Sequence, residues 1–271
     1  MTTTFMARGG SGGGLAGAVR SEWTKFWSVR STWWGLLTAF AVQLGYSALL
    51  AFSLNAQHKS GDSEVFELAA PAVSTDAVFY LTQLAVLSVA TLTIASEYAT
   101  GSIRSTLQWV PARWRVLPAK CGVLMPVLFV LGIVLSGLSI VVAQALLGDF
   151  APDLSFAAVA RTMLGTGAYL ALLGVLVTGV GAALRSVAGT ISVVFTVLMI
   201  LPLLMAGMGL TAVVDYLPGV AGVNLMSADG QPNLMTGSPS PYGGGIALAI
   251  VSGWALLAWL AGDRVLRGRD A

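Results

Sequence analysis

Long apolar runs, separated by short polar stretches, dominate the chain. Six of these runs come close to or exceed the ~20 residues that a helix needs to cross a hydrocarbon layer of ~30 Å. The pattern therefore predicts six membrane-spanning helices, near residues 33–54, 78–96, 121–147, 162–184, 187–208 and 246–266. Because only Arg185 and Ser186 separate the fourth and fifth runs, these two helices should be antiparallel neighbours.

The N-terminal region divides into a tail and an amphipathic stretch. Residues 1–14 are small and Gly-rich, which predicts disorder. Residues 15–30 place aromatic side chains, Trp23 and Phe26 among them, opposite Arg20 and Lys25. Such a pattern is typical of a helix that lies in the headgroup plane, although a stem that continues the first span would show it too. Residues 15–271 would then form one membrane domain.

A further apolar stretch precedes the last span. Residues 212–226 are largely apolar but too short to cross a bilayer, and Pro218 and Gly219 interrupt them. This pattern favours a re-entrant segment made of two half-helices over a loosely packed external loop.

Composition and charge agree with a membrane protein of defined orientation. The chain is 56% hydrophobic and 10% charged, with a mean hydropathy of +0.82, whereas soluble domains carry roughly 25% charged residues. All of the 14 Lys and Arg residues except Lys59 and Arg161 fall on one side of the six-span arrangement. Most of the acidic residues, Asp76 among them, fall on the opposite side of this arrangement. The distribution of Lys and Arg predicts that both termini are cytoplasmic.

The sequence lacks the residues that metal binding, catalysis and nucleotide binding usually require. With one histidine, His58, and one cysteine, Cys121, the usual transition-metal sites cannot be assembled. The sequence also lacks a nucleophile–base arrangement and the P-loop motif for nucleotides, so we expect no enzyme activity, no bound cofactor and no nucleic-acid partner. Glu97 and Lys120 fall at span ends, and the spans themselves carry no charge, which argues against ion or proton coupling.

Three glutamines stand out among the polar residues within the spans: Gln43, Gln83 and Gln144. They could form hydrogen bonds between helices. They could also line a path for an amphipathic substrate, and a path without charges would suit lipophilic cargo.

The polar stretch between the second and third spans has a helical pattern of its own. After Gly101, the residues on one side recur at helical spacing: Ile103, Thr106, Leu107 and Val110. Arg104, Ser105 and Gln108 fall on the other side, and Pro111 would end the helix. We expect a short amphipathic helix, parallel to the membrane, that presents a rigid surface to a cytoplasmic partner. A solvated basic loop would explain the charges but not the apolar stripe.

The same stretch carries a resemblance to a known family. Its residues read Glu97-Tyr98-x-x-Gly101-x-Ile103-Arg104, followed by Leu107, Pro111, Arg113 and Lys120. This pattern resembles the signature loop of type-2 ABC-transporter permeases, as do the six spans, the N-terminal amphipathic helix and the apolar segment before the last span. The resemblance implies that the loop forms a coupling helix docked on a separate ATP-binding subunit. The residues implied in coupling are Glu97, Tyr98, Gly101, Ile103, Arg104, Leu107 and Val110. Because a carboxylate at the C-terminal end of a helix is electrostatically unfavourable, we expect Glu97 to have a basic partner, either Arg104 or an ATPase residue.

These expectations combine into one hypothesis. The chain would be the all-α permease subunit of an ATP-driven exporter in a bacterial plasma membrane. It would pair with a second copy or a paralogue, and the partner ATPase would bind ATP and Mg²⁺. The cargo would be a hydrophobic or amphipathic compound such as a drug, an antibiotic, a peptide or a lipid. A secondary transporter and a non-transporting scaffold or sensor are the alternatives.

Overall fold

The computed structural model describes residues 14–60, 69–103, 113–227 and 240–268, and all regular structure in these ranges is helical. Six helices are long and apolar enough to cross a membrane, which confirms the predicted number and indicates a multi-pass membrane protein. They are α2 (Arg30–Lys59), α3 (Ala70–Ala99), α4 (Arg113–Phe150), α5 (Phe156–Leu184), α6 (Val187–Gly207) and α9 (Gly244–Gly268). Of the tail predicted at residues 1–14, residues 1–13 lie outside the described residues, and Gly14 is the first residue of a helix.

Three shorter helices complete the described fold. Helix α1 (Gly14–Ser28) precedes the first span, and α7 (Thr211–Val214) and α8 (Pro218–Met226) precede the last one. Val29 separates α1 from α2 with an extended backbone, φ −89° and ψ 124°. Helix α1 is therefore an element of its own, not a stem that continues the first span. It buries Ala18 and Phe26 and leaves Trp23 exposed.

Two of the long helices begin well before the apolar runs that predicted them. Helix α3 starts at Ala70 and α4 at Arg113, whereas the hydropathy pattern begins these spans at 78 and 121. Pro71, in the first turn of α3, is compatible with helix there because the first backbone N–H groups have no intrahelical partner. As a result Asp76 and Lys120 lie inside long helices. The sequence placed Asp76 on the external side, just before the second span; in the structure it lies inside α3, and its side of the membrane stays a prediction.

Helix α5 is the centre of the bundle and packs against α3, α4, α8 and α9. Glycines allow the closest of these approaches. A Cβ atom on Gly132 of α4 would lie 2.8 Å from the Cα atom of Gly167 on α5. Gly179 of α5 and Gly262 of α9 likewise meet backbone to backbone. Small residues at crossings are how helices pack tightly in lipid, where the hydrophobic effect does not drive association.

Helix α8 is buried over its whole length, since every residue from Pro218 to Met226 is shielded from solvent. Gly222 faces the ring of Tyr169, and the Thr162 hydroxyl donates to the Met226 carbonyl at 3.0 Å. The sequence predicted the break at Pro218 and Gly219; in the structure the break lies at 215–217, and both residues are in the first turn of α8. The apolar segment is therefore a packed helix and not a loose loop. Its predicted re-entry into a bilayer stays a prediction.

Close backbone contact between α5 and α9 predicts that Gly262→Ala destabilises the protein. The added methyl group would overlap the Gly179 backbone, and overpacking of this kind typically costs about 1–3 kcal/mol. Gly253→Ala is the matched control on the same helix, because no atom lies within 4 Å of the position that its Cβ would take. Thermal unfolding of the purified variants in detergent measures the effect. Equal midpoints for the two variants would contradict this packing.

Candidate functional site

A fully buried lysine stands at the centre of the most unusual polar site in the described chain. The side chain of Lys120, on α4, is 1% exposed. Its ammonium group donates to Glu22 Oε2, to Glu97 Oε1 and to the Thr93 carbonyl, each at 2.8 Å. A lysine has three N–H donors, so these contacts satisfy all of them. The acceptors belong to α1 and α3, and Lys120 therefore joins three helices.

A second lysine completes the site from the surface side. Lys25 of α1 donates to Glu22 Oε1 at 2.8 Å and to Glu97 Oε1 at 3.1 Å. Burial alone would lower the pKa of Lys25, but its hydrogen bonds to Glu22 and Glu97 and their negative charges outweigh burial, so this pKa is raised. Glu22, Lys25, Glu97 and Lys120 are called the charge cluster below. It contains two positive and two negative side chains.

Local sequence explains part of this arrangement. Glu22 and Lys25 are three positions apart, which places both on one face of α1. Glu97 lies near the C-terminal end of α3, where the helix dipole disfavours a carboxylate, so a basic partner was expected. The sequence suggested Arg104 or an ATPase residue for this role. In the structure Lys120 and Lys25 fill it, while Arg104 lies outside the described residues.

The charge cluster should fix the relative positions of α1, α3 and α4 more than it adds to the free energy of unfolding. Removing two opposite charges from water costs several kcal/mol per ion, and their attraction offsets this cost only where hydrogen bonding is complete. At Lys120 hydrogen bonding is complete, because each of its three N–H groups has an acceptor. Its contacts hold α1 against the ends of α3 and α4 in one register.

A cavity of about 370 Å³ lies directly beside the charge cluster. Its walls come from α1, the first turn of α2, the C-terminal half of α3 and the beginning of α4. All four members of the cluster line it, together with apolar and hydroxyl side chains. No pattern in the sequence indicates this cavity, because residues from distant parts of the chain form its walls.

The residues implied in coupling lie at the same end of the bundle, as far as they are described. Tyr98 follows Glu97 at the end of α3, and the Arg185 guanidinium lies 5.2 Å from its ring centroid, within cation–π range. Gly101 has φ +73°, a conformation that favours glycine. Ile103 is helical and 3% exposed. Arg104, Leu107 and Val110 lie outside the described residues.

Two of the three glutamines join helices in the interior. Gln43 of α2 donates to the Ser74 carbonyl at 3.1 Å and accepts from the Thr82 hydroxyl at 2.5 Å. Gln83 accepts from the Tyr169 hydroxyl at 2.6 Å and donates to the Phe79 carbonyl, which lies in a π-helical turn of α3. Both glutamines are fully buried. These contacts fit the interhelical role for Gln43 and Gln83.

Gln144 has a weaker set of contacts than the other two glutamines. It lies near the end of α4 and donates to the Pro152 carbonyl at 3.5 Å. Its side-chain oxygen is buried without a hydrogen-bond partner among the described residues. A role for any of the three glutamines in a substrate path stays a prediction.

Comparison with known proteins adds no family assignment. No protein-family model matches the chain, and no functionally characterised protein shows significant sequence similarity to it. Functional inference therefore depends on the residues and their geometry.

The charge cluster predicts a large loss of stability for Lys120→Met. Methionine has similar length but no charge, so Glu22 and Glu97 would lose their buried partner, a change that costs about 3–5 kcal/mol. Lys25→Met should cost less because the Lys25 side chain is 42% exposed. Thermal unfolding in detergent is the measurement. Adding Glu97→Gln to Lys120→Met should restore part of the loss, and equal midpoints for the two single variants would contradict the assigned role of Lys120.

Proposed function

We propose that this chain is the permease subunit of an ATP-driven exporter, and that residues 97–110 couple it to a separate ATPase subunit. The observation that carries the proposal is the rigid attachment of this stretch at its described end. Glu97 is fixed in the charge cluster, Gly101 makes the turn out of α3, and Ile103 is helical and buried. A coupling element must be stiffly joined to the spans that it moves.

The described contacts suggest a route for such motion. Force applied to the loop would reach α3 through Glu97 and α4 through Lys120. It would reach α1 through Glu22 and the turn between α5 and α6 through Tyr98 and Arg185. ATP and Mg²⁺ would bind the partner ATPase, and this chain would supply the membrane path. Both termini and the loop would face the cytoplasm, in accord with the positions of Lys and Arg.

Burial along the spans is consistent with a bilayer and a second permease copy as partners. In their most apolar windows, α3 and α5 are each 67% buried, whereas α2 and α6 are 22% and α9 is 17% buried. The outer helices present large apolar side chains, including Leu49 and Leu257. Such surfaces suit lipid or a second copy, and the apolar spans suit a hydrophobic or amphipathic cargo.

One observation favours a second candidate, a proton-coupled secondary transporter. Asp76 lies inside α3 and is 4% exposed, and its Oδ1 atom has no hydrogen-bond partner among the described residues. A buried ionisable residue in a span is a reason to suspect function. Asp76 precedes Glu97 by 97 − 76 = 21 residues, or about 32 Å of helix. That length places Asp76 near the opposite boundary of the hydrocarbon layer rather than at its midplane, which keeps the exporter as the first candidate.

Leu107→Asp tests the coupling proposal. A carboxylate in an apolar contact with the ATPase or the span ends should cost several kcal/mol and abolish export. Insertion should be normal, because the loop adds nothing to the hydrophobicity of any span. Export by cells and cargo-stimulated ATP hydrolysis by the copurified ATPase are the measurements.

Gln108→Asp is the matched control, since it introduces the same charge on the side predicted to be polar. Arg104→Ala should reduce export only slightly, as an exposed charge contact is worth about 1 kcal/mol or less. Glu97→Gln should impair export more than Arg104→Ala. Wild-type export by Leu107→Asp would remove the basis for assigning this loop to coupling.

The energy source separates the two candidate functions. Transport into inside-out vesicles should continue when an uncoupler collapses the proton gradient, provided that ATP is supplied. Asp76→Asn should leave transport close to the wild-type rate. Collapse of transport at constant ATP, together with loss of activity in Asp76→Asn, would instead identify a proton-coupled carrier.

A further inference from the structure

Exposed tryptophans surround the end of the bundle at which α1 lies. Lys120 joins α1 to the beginning of α4 through Glu22, so α1 is level with the first turns of that span. The tryptophans exposed at this level are Trp23, Trp33, Trp34 and Trp114, with exposed fractions from 46% to 67%. Indole rings prefer the boundary between hydrocarbon and lipid headgroups. Their positions indicate that α1 lies at the level of the headgroups.

Ring contacts join α1 to the first span along this surface. The ring centroids of Trp23 and Trp27 are 5.7 Å apart, and those of Trp27 and Trp33 are 5.1 Å apart. The Trp33 indole N–H also donates to the Trp27 carbonyl at 3.0 Å. Three indoles thus form a continuous strip from the middle of α1 to the first turn of α2. The strip holds α1 against the first span at a fixed height.

Two arginines lie along this strip of indoles. Arg20 precedes Trp23 and Trp27 by three and seven residues, which places these three side chains on one face of α1. Arg30 lies between Trp27 and Trp33 in the chain. Both arginines are exposed, and neither has a salt-bridge partner in the part of the chain that the structure describes. The arginine–indole surface, as it is called below, consists of Arg20, Trp23, Trp27, Arg30 and Trp33.

The acidic side chains at this end of the bundle point inward, so they do not balance the exposed arginines. Between residues 14 and 60 the sequence has a single acid, Glu22, and its carboxylate binds the two lysines of the charge cluster. Glu97 belongs to the same cluster and is likewise 11% exposed. Asp263 of α9 pairs with Arg267 at 2.7 Å and is 10% exposed. These three are the acids that the structure describes at this end, and the arginine–indole surface therefore presents positive charge outward.

We propose that the arginine–indole surface binds the headgroups of anionic phospholipids of the phosphatidylglycerol type. The indoles set the depth of the surface in the bilayer, and guanidinium groups bind phosphate oxygens through paired hydrogen bonds. A zwitterionic head would also bring an ammonium group to a surface whose described residues offer it no exposed carboxylate. An anionic head brings only the negative charge that the arginines complement. The proposal does not depend on the export function, since lipid binding requires neither an ATPase nor transport.

Native mass spectrometry of the delipidated, detergent-solubilised chain measures the lipid preference. The probes are phosphatidylglycerol and phosphatidylcholine with the same acyl chains. One arginine near an anionic headgroup is worth about fivefold in affinity, so two should make phosphatidylglycerol bind at least about tenfold more tightly. Arg20→Gln and Arg30→Gln should each weaken phosphatidylglycerol binding about fivefold and leave phosphatidylcholine binding unchanged. Equal affinity of the wild-type chain for the two lipids would overturn the proposal.

Arg264→Gln is the matched control for Arg20→Gln. Arg264 is exposed at the same end of the bundle, and residues 261–268 of α9 contain no tryptophan. The change should weaken phosphatidylglycerol binding less than about twofold, because no indole holds a lipid there. Thermal unfolding midpoints of both variants should equal that of the wild type, since both side chains are exposed. Equal losses of lipid affinity for the two variants would indicate diffuse attraction to positive charge and overturn the proposed site.

Trp23→Ala separates the role of the indoles from that of the charges. It removes aromatic surface without changing charge, so it should weaken the binding of both lipids by about the same factor and preserve the preference between them. Loss of the preference in Trp23→Ala, with the preference intact in Arg20→Gln, would overturn the assigned roles. Unchanged phosphatidylglycerol binding by Arg20→Gln, together with reduced copurification of an ATPase, would assign this surface to a protein partner and also overturn the proposal.

Discussion

Burial of the Lys120 ammonium group is the constraint on which the packing of α1 against the ends of α3 and α4 depends. A charge that is 1% exposed requires an acceptor for every proton, and the three acceptors come from two other helices. Helix α1 must therefore lie where Glu22 reaches Lys120, and α3 must end where Glu97 and the Thr93 carbonyl reach it. The position of α1 in turn creates the cavity, because one wall of that cavity is α1 itself. The charge cluster, the cavity and the start of the stretch proposed to couple the chain to an ATPase are thus one connected arrangement.

The interior is held by a different set of contacts. Helices in lipid gain little from the hydrophobic effect, so close packing of small residues and hydrogen bonds between helices have to provide association. Gly132 with Gly167 and Gly179 with Gly262 bring α5 against its neighbours. Gln43 and Gln83 supply hydrogen bonds between α2, α3 and α5, and the π-helical turn of α3 exposes the Phe79 carbonyl that Gln83 satisfies. These polar groups have protein partners, which explains how the spans carry them.

The two candidate functions differ in where they need charge. A coupling loop would need a firm attachment at the ends of spans, and the ion pair between Glu97 and Lys120 would suit that need. Proton-coupled transport needs an ionisable group within the path, and Asp76 is the residue in the described spans that comes closest to this role. Its separation from Glu97 along α3 is about the thickness of the hydrocarbon layer. A buried carboxylate alone would suggest proton coupling. Because Asp76 lies so far from Glu97 along α3, its position favours the exporter over the proton-coupled carrier.

Local patterns in the sequence determined the six long helices, the amphipathic stretch before the first span and a break near Pro218, while the structure decided that α1 is a separate helix. Apolar runs, amphipathic spacing and Pro–Gly punctuation act within a few turns of chain, so they can be recognised without tertiary structure. The sequence also indicated that Glu97 needs a basic partner, because a carboxylate at a helix C-terminus is unfavourable. The coupling roles of Arg104, Leu107 and Val110 stay predictions from the sequence. Tertiary structure alone decided that Lys120 and Lys25 contact Glu97, that Glu22 shares these two lysines, that Asp76 is buried and that a cavity lies beside α1. The physical reason is distance along the chain: Glu22 and Lys120 are 98 residues apart, and only the packing of α1 on α3 and α4 brings their charges together.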